Sequence, residues 1–359
     1  MSLSIGIVGL PNVGKSTLFN ALTRASALAS NYPFATIEPN VGIVGIPDPR
    51  LDALAGLYDS ARIVPATVRF VDIAGLVRGA SQGAGLGNQF LAHIRETDAI
   101  CQVVRSHADD RVPHPDGRVD PLADIEAVDT ELLLSDLEQV ERRLERVTKQ
   151  ARSGDKEAIA ERDWLAAVRD AVAAGNAVRL VPVPDLAADA PRRLAALTSK
   201  PTLYVANVDE GSVAVPDEVA AHAAAAGATA VAVSARIESE LAELEGPEAD
   251  EMRAQLEVGE SGLSRVVRAA YELLDLITFF TADRAKEATA RSLRKGSTVL
   301  DAAAKVHTDF QRDFVKAEVI AWDRLVDAGG YVGAQEQGLL RIEGRDYVVE
   351  DGDVVTIKT

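Results

Sequence analysis

The residues Gly9-Leu10-Pro11-Asn12-Val13-Gly14-Lys15-Ser16 constrain this chain more than any other stretch. They form a complete Gly-x-x-x-x-Gly-Lys-Ser phosphate loop. An apolar run, Ile5 to Val8, precedes the loop, and Thr17-Leu18-Phe19-Asn20-Ala21-Leu22 continues as a helix. That strand–loop–helix context is what the motif requires. The glycines let the backbone of Asn12, Val13, Gly14, Lys15, Ser16 and Thr17 curl around a triphosphate. The helix N-terminus adds its partial positive charge. Lys15 is placed to reach the β- and γ-phosphates, and Ser16 to put its hydroxyl on Mg²⁺.

Beyond the loop, strands and helices alternate, which predicts an α/β fold with a mostly parallel sheet. Apolar runs predict strands at 5–8, 42–46, 67–72, 99–105, 202–205 and 228–233. The long gap between the fourth and fifth strands is too long for structureless loop. In it Leu133, Leu137, Val140, Leu144 and Val147 recur at heptad spacing, the stripe of a coiled-coil helix. Arg152-Ser153-Gly154-Asp155 reads as a turn. A second helix then places Ile159, Leu165, Val168 and Val172 on one side and ends near Gly175. The expectation is an inserted antiparallel helical hairpin. From about residue 278 the texture changes to a helix at 299–306 and short strands at 339–342, 347–349 and 354–357. The expected domains are a nucleotide domain at 1–124 and 196–277, the hairpin at 125–195, and a small α+β domain at 278–359.

With 359 residues, two or three domains are expected. The net charge of −17 argues against broad non-specific nucleic-acid binding. No run approaches the ~20 apolar residues of a membrane helix, and nothing resembles a signal peptide. Cys101, the single cysteine, leaves no intrachain disulfide. A cytoplasmic protein is expected.

Phosphoryl transfer needs phosphates held, Mg²⁺ placed, water oriented and charge neutralised. Thr36, in the Pro-flanked segment 31–39, is the candidate second Mg²⁺ hydroxyl. Asp72 ends the third predicted strand within Asp72-Ile73-Ala74-Gly75. It is placed to hold the metal through water, with the Gly75 N–H sensing the γ-phosphate. Guanine-specific relatives carry Asn-Lys-x-Asp after the next-to-last strand. Here that element reads Asn207-Val208-Asp209-Glu210. The closing Asp has become a longer Glu210, which spoils the reach a carboxylate needs for guanine. Asn207 suits the N6/N7 edge of adenine, and Val208 offers apolar contact. ATP is therefore expected over GTP. Ser234 and Ala235 complete the base pocket through backbone N–H groups. Leu76 stands where Ras-like enzymes place the water-orienting Gln, so slow hydrolysis is expected. His114 is the candidate water-positioning group and His107 the weaker one. A monovalent cation, K⁺, held near Asn12 is the alternative.

Taken together, the phosphate loop, Asn-Tyr-Pro-Phe-x-Thr-Ile-Glu-Pro at 31–39, Asp-Ile-Ala-Gly-Leu-Val at 72–77, Gly-Leu-Gly-Asn-Gln-Phe-Leu at 85–91 and Asn-x-x-Glu at 207–210 resemble the YchF family over the whole chain. These are ribosome-associated ATPases in the Obg-related branch of P-loop GTPases. The resemblance implies a P-loop NTPase domain, an inserted coiled-coil hairpin and a C-terminal β-grasp domain of the TGS type. It also implies ATP hydrolysis with Mg²⁺, ADP as product, and binding to the ribosome. Nucleic acid would be met only through the ribosome, no membrane is involved, and a monomer is expected. Two other readings stay open: a GTPase in ribosome assembly, and a nucleotide-gated binding module in which hydrolysis is incidental.

Overall fold

The computed structural model describes residues 3–29, 40–73, 75, 86–109, 112–115, 117–244, 248, 251–252, 254, 261–283 and 287–359. They group into two compact units. One comprises Met1–Leu28, Phe34–Gly42 and Arg69–Leu273, the other Ala29–Pro33, Ile43–Val68 and Leu274–Thr359.

Six strands build the sheet of the first unit. They are β1 (Ser4–Val8), β2 (Val41–Gly45), β4 (Thr67–Asp72), β5 (Ala99–Ser106), β6 (Thr202–Val208) and β7 (Thr229–Val233). Their order is β2-β4-β1-β5-β6-β7, with β3 (Arg62–Val64) in the other sheet. The pairings from β4 through β1, β5 and β6 to β7 are all parallel. Helices cover both faces of such a sheet, so its central strands read as continuous apolar runs. Ile5, Ile7 and Val8 are accordingly fully buried. The chain leaves β1 with β4 on one side and β5 on the other. This is a topological switch point, where α/β sheets open a crevice at the carboxyl ends of their strands.

Between β5 and β6 stand the two long helices α4 (Pro121–Ala151) and α5 (Lys156–Ala173). Asp120 caps the first through the Ala123 N–H, with Pro121 at its first position, and Asp155 caps the second. Val140 and Val147 of the heptad stripe pack with Trp164, Leu165, Val168 and Val172, flanked by Leu133, Leu137 and Leu144. Glu161 is buried in this seam and takes Arg143 at 2.5 Å and Arg193 at 2.7 Å. The seam is thus pinned by a paired charge as well as by apolar packing.

The chain returns from the hairpin to the sheet past Asp136 of α4, which is fully buried. Its carboxylate accepts from the Leu197 N–H, the Thr198 N–H and the Thr198 hydroxyl, each at 2.7 Å. Burial pushes this carboxyl above its usual range, and the three donors oppose that shift.

The second unit holds a sheet in the order β11-β10-β12-β8-β9-β3. Its strands are β8 (Leu276–Asp283), β9 (Glu287–Arg294), β10 (Lys316–Ala321), β11 (Arg341–Glu343) and β12 (Asp353–Lys358), with β3. The helix Val299–Val306 begins with a Thr298/Asp301 capping box and buries Val299, Ala302 and Ala303 in its core. Two differences from the sequence reading appear. Residues 43–68 cluster here because β3 pairs in parallel with β9, from Arg62↔Glu287 to Val64↔Thr289. Residues 347–349 form only an isolated bridge, Thr298↔Val348, while β8, β9 and β10 carry most of the sheet.

Replacing Asp136 with Ala would strand three buried donors. We expect Asp136→Ala to lower unfolding free energy by about 3 kcal/mol in denaturant titration. A loss under about 1 kcal/mol would show that the carboxylate is not what seats the hairpin.

Candidate functional site

The phosphate loop closes over the carboxyl end of β1 and enters α1 (Lys15–Ala29). A cleft of about 800 Å³ lies beside it. Its walls come from the loop and start of α1 (Asn12, Gly14, Lys15, Ser16, Thr17), from the segment after β5 (His107, Val112), from the end of β6 (Asn207 to Glu210), and from Ser234 to Arg236. These are the carboxyl ends of β1, β5, β6 and β7 (the place where such a sheet binds ligand).

Lys15 is buried, and its Nζ donates to the Leu10 carbonyl at 2.7 Å. Its ammonium is thereby folded back over the loop. Burial lowers its pKa from 10.5 to about 8, with the Asp72 charge pulling the other way. Gly75 comes close to this group: a Cβ placed there would stand 3.1 Å from Nζ. The Ser16 hydroxyl donates to Asp72 Oδ2 at 3.2 Å. Burial raises the Asp72 carboxyl above its usual range, opposed by the Ser16 bond and the Lys15 charge. A hydroxyl and one carboxylate are hard oxygen donors, and Mg²⁺ takes one or two carboxylates with phosphates and water filling the rest. Ser16 and Asp72 fit that ion. Thr36 lies outside the described residues, as does Leu76.

Asn207 is 5% exposed and every polar contact it makes is to protein. Its Nδ2 donates to the Val13 carbonyl at 3.0 Å, and its Oδ1 accepts from the Ala235 N–H at 3.0 Å. Nδ2 also stands 3.4 Å from His107 Nε2. The amide expected at the adenine edge thus also joins the loop to the start of α8 (Ala235–Leu241), with the Ala235 N–H as its donor. Gly14 is obligatory beneath this amide. Its φ is +101°, and a Cβ on it would collide with Asn207 Nδ2.

The outer part of this wall of the cleft is charged. Glu210 is exposed and meets Arg236 at 3.3 Å, which also meets Glu240 at 3.1 Å. Val208 is buried against Ala206 and Ala232. The side chain of Ser234 makes no capping bond to α8.

One residue that sequence reasoning passed over, Arg105, organises the β5 side. Arg105 is 1% exposed and its guanidinium donates to the carbonyls of His107, Asp109 and Val112 at 3.2, 2.8 and 2.8 Å. It holds the loop after β5 by its backbone. His107 lines the cleft, and burial with the Arg105 charge keeps its ring pKa below 6.5. The signal was a lone charged residue, Arg105, near the end of a mostly apolar strand. His114 does not line the cleft. Its Nε2 stands 3.0 Å from Asp124 Oδ2, and its side chain is 4% exposed. Asn12 donates Nδ2 to the Pro113 carbonyl at 3.1 Å, so a cation there would have to use its Oδ1.

A mostly parallel sheet with a phosphate loop at its switch point and Ser16 bonded to Asp72 beside it defines a P-loop nucleoside-triphosphate-binding protein. Residues 4–154 match the family model described as 50S ribosome-binding GTPase. Residues 276–359 match the C-terminal YchF-GTPase model, described as a protein of unknown function (DUF933). The protein named ribosome-binding ATPase YchF of Bacillus subtilis is 48% identical over 99% of this chain and 98% of its own. Its namesake in Haemophilus influenzae is 51% identical over the same shares. The solved structure of the Schizosaccharomyces pombe YchF GTPase superposes with a TM-score of 0.88 at 35% identity, covering 99% of this chain and 98% of that one. The chain belongs to the YchF family.

Two outcomes follow from the geometry. Gly14→Ala should weaken nucleotide binding by more than about tenfold, since strain at that φ and the clash with Asn207 both fall on the loop. Unchanged affinity in calorimetry would contradict the brace. Lys15 is half-neutral near pH 8 in the free protein, and phosphate favours its charged form, so binding takes up a proton above that pH. Affinity for a nucleotide triphosphate should be flat between about pH 7 and 8 and fall above it, by up to about tenfold per unit. A flat profile to pH 9.5 would mean that Lys15 stays charged.

Proposed function

We propose that this chain is a Mg²⁺-dependent ATPase that works as a slow nucleotide switch and associates with the ribosome. The carrying observation is the cleft lined by Lys15 and Ser16, with Asp72 bonded to Ser16 and Gly75 close to Lys15, in a chain whose full-length relatives are named ribosome-binding ATPases. In this reading Lys15 leaves the Leu10 carbonyl for the β- and γ-phosphates, Ser16 and Asp72 hold Mg²⁺ with Thr36, and the Gly75 N–H meets the γ-phosphate. His114 orients the attacking water once it has left Asp124. K⁺ at Asn12 is the competing source of positive charge.

Adenine is selected because the carboxylate that guanine requires is missing at the right reach. Glu210 has a longer side chain than the Asp it replaces and faces Arg236. The base rests between Val208 and the residues around Ser234, with Asn207 bracing from behind. The three-part division of the chain into NTPase domain, hairpin insert and TGS domain is part of the same proposal. So are a cytoplasmic location, a monomeric state, and contact with nucleic acid only through the ribosome. A GTPase acting in ribosome assembly is the second reading, favoured by the naming of the fission-yeast structure as a GTPase.

Calorimetric titration in Mg²⁺ and K⁺ with ATP, ADP, GTP and GDP separates the two. Adenine nucleotides should bind at least about tenfold tighter than guanine nucleotides, a difference of ~1.4 kcal/mol. Lys15→Ala should weaken all four. Preference for guanine nucleotides would put the GTPase reading first.

A further inference from the structure

His114 is held at two points. One residue before it, the Pro113 carbonyl accepts from Asn12 of the phosphate loop at 3.1 Å. The ring itself meets Asp124 Oδ2 at 3.0 Å, and both side chains are nearly inaccessible, 4% and 3% exposed. Asp124 lies in the first turn of α4, where its N–H donates to the Asp120 carbonyl and Asp120 caps the helix. The partner of the ring is therefore fixed to the root of the hairpin, and the neighbouring backbone is fixed to the phosphate loop. His107 and Val112, from the same stretch of chain, line the nucleotide cleft, whereas His114 does not.

We propose that Asp124 is a positioning residue for hydrolysis that acts through His114 by restraint. It keeps the ring against α4 and off the cleft, so the free protein turns over slowly. This rests on reading His114 as the group that orients water. Breaking a buried hydrogen bond and leaving its partner unsatisfied costs about tenfold or more. When it breaks, the backbone one residue before His114 stays tethered to the phosphate loop through Asn12. Any ligand that shifts the first turn of α4 breaks the same contact from the hairpin side.

The test is steady-state ATP hydrolysis by the full chain in Mg²⁺. The variants are Asp124→Ala, Asp124→Asn, His114→Ala and the double variant, each checked for an unchanged unfolding midpoint. Asp124→Ala should raise kcat about tenfold with KM for ATP unchanged, because Lys15 and Ser16 are untouched. Asp124→Asn keeps an acceptor of the same shape and should give a smaller rise. The double variant should fall to the level of His114→Ala, which a merely structural role for Asp124 would not produce. If His114→Ala slows hydrolysis while folded Asp124 variants are no faster than the parent, the restraint is wrong and the His114 reading survives. If His114→Ala leaves kcat unchanged, both fail together. Should Asp124→Ala not fold, Asp124→Asn decides alone: a rise supports the restraint, and no rise overturns it.

Discussion

The amide of Asn207 is the interaction on which the rest of the site depends. It lies at the end of β6, and it joins the phosphate loop at Val13 to the start of α8 at Ala235. Those segments are separated by over two hundred residues, and no other described side chain bonds to both. A buried amide satisfied at both ends contributes modestly, but leaving its partners open costs about 1–3 kcal/mol per group. The Val13 carbonyl and Ala235 N–H therefore tie loop shape to the base wall. Gly14 follows as a consequence, because only a residue without Cβ passes beneath the amide at positive φ.

Around this brace the free site rests in a self-satisfied state. Lys15 is bonded to Leu10 within its own loop, and Ser16 is bonded to Asp72. In the proposed function each of these bonds is exchanged for a bond to phosphate or metal when a ligand arrives. The exchange is favourable because the ligand supplies charge, which makes shorter and stronger bonds than a neutral carbonyl. Burial presses in the same direction: it raises the Asp72 carboxyl and lowers the Lys15 ammonium, so both groups gain from a charged partner. Arg105 gives the loop after β5 a fixed backbone on the opposite wall, and the hairpin begins directly beyond it.

Much of this was legible in the sequence, and the reasons are local. The phosphate loop, the Asp72-x-x-Gly75 element and the heptad stripe each depend on spacing within one segment, and spacing is what a sequence displays. The strands of the parallel sheet were visible because burial on both faces makes them continuous apolar runs. What stayed hidden depends on contacts between distant segments. Asn207 looks like a base reader because its type suits adenine; that it also ties Val13 to Ala235 is a fact of tertiary packing. The pairing of β3 with β9 could not be read from Arg62-Ile63-Val64, a three-residue edge strand with no distinctive pattern. The sequence ranks His114 above His107, and only the packing of the loop after β5 puts His107 in the cleft and His114 against Asp124.

The brace can be tested with a ligand that has no base. Affinity of Asn207→Ala for inorganic tripolyphosphate in Mg²⁺ should fall by about tenfold, in parallel with its affinity for ATP, because the phosphate loop itself has lost its support. If tripolyphosphate binds Asn207→Ala as tightly as the parent while ATP alone is weakened, the Asn207 amide reads the base and does not brace the loop.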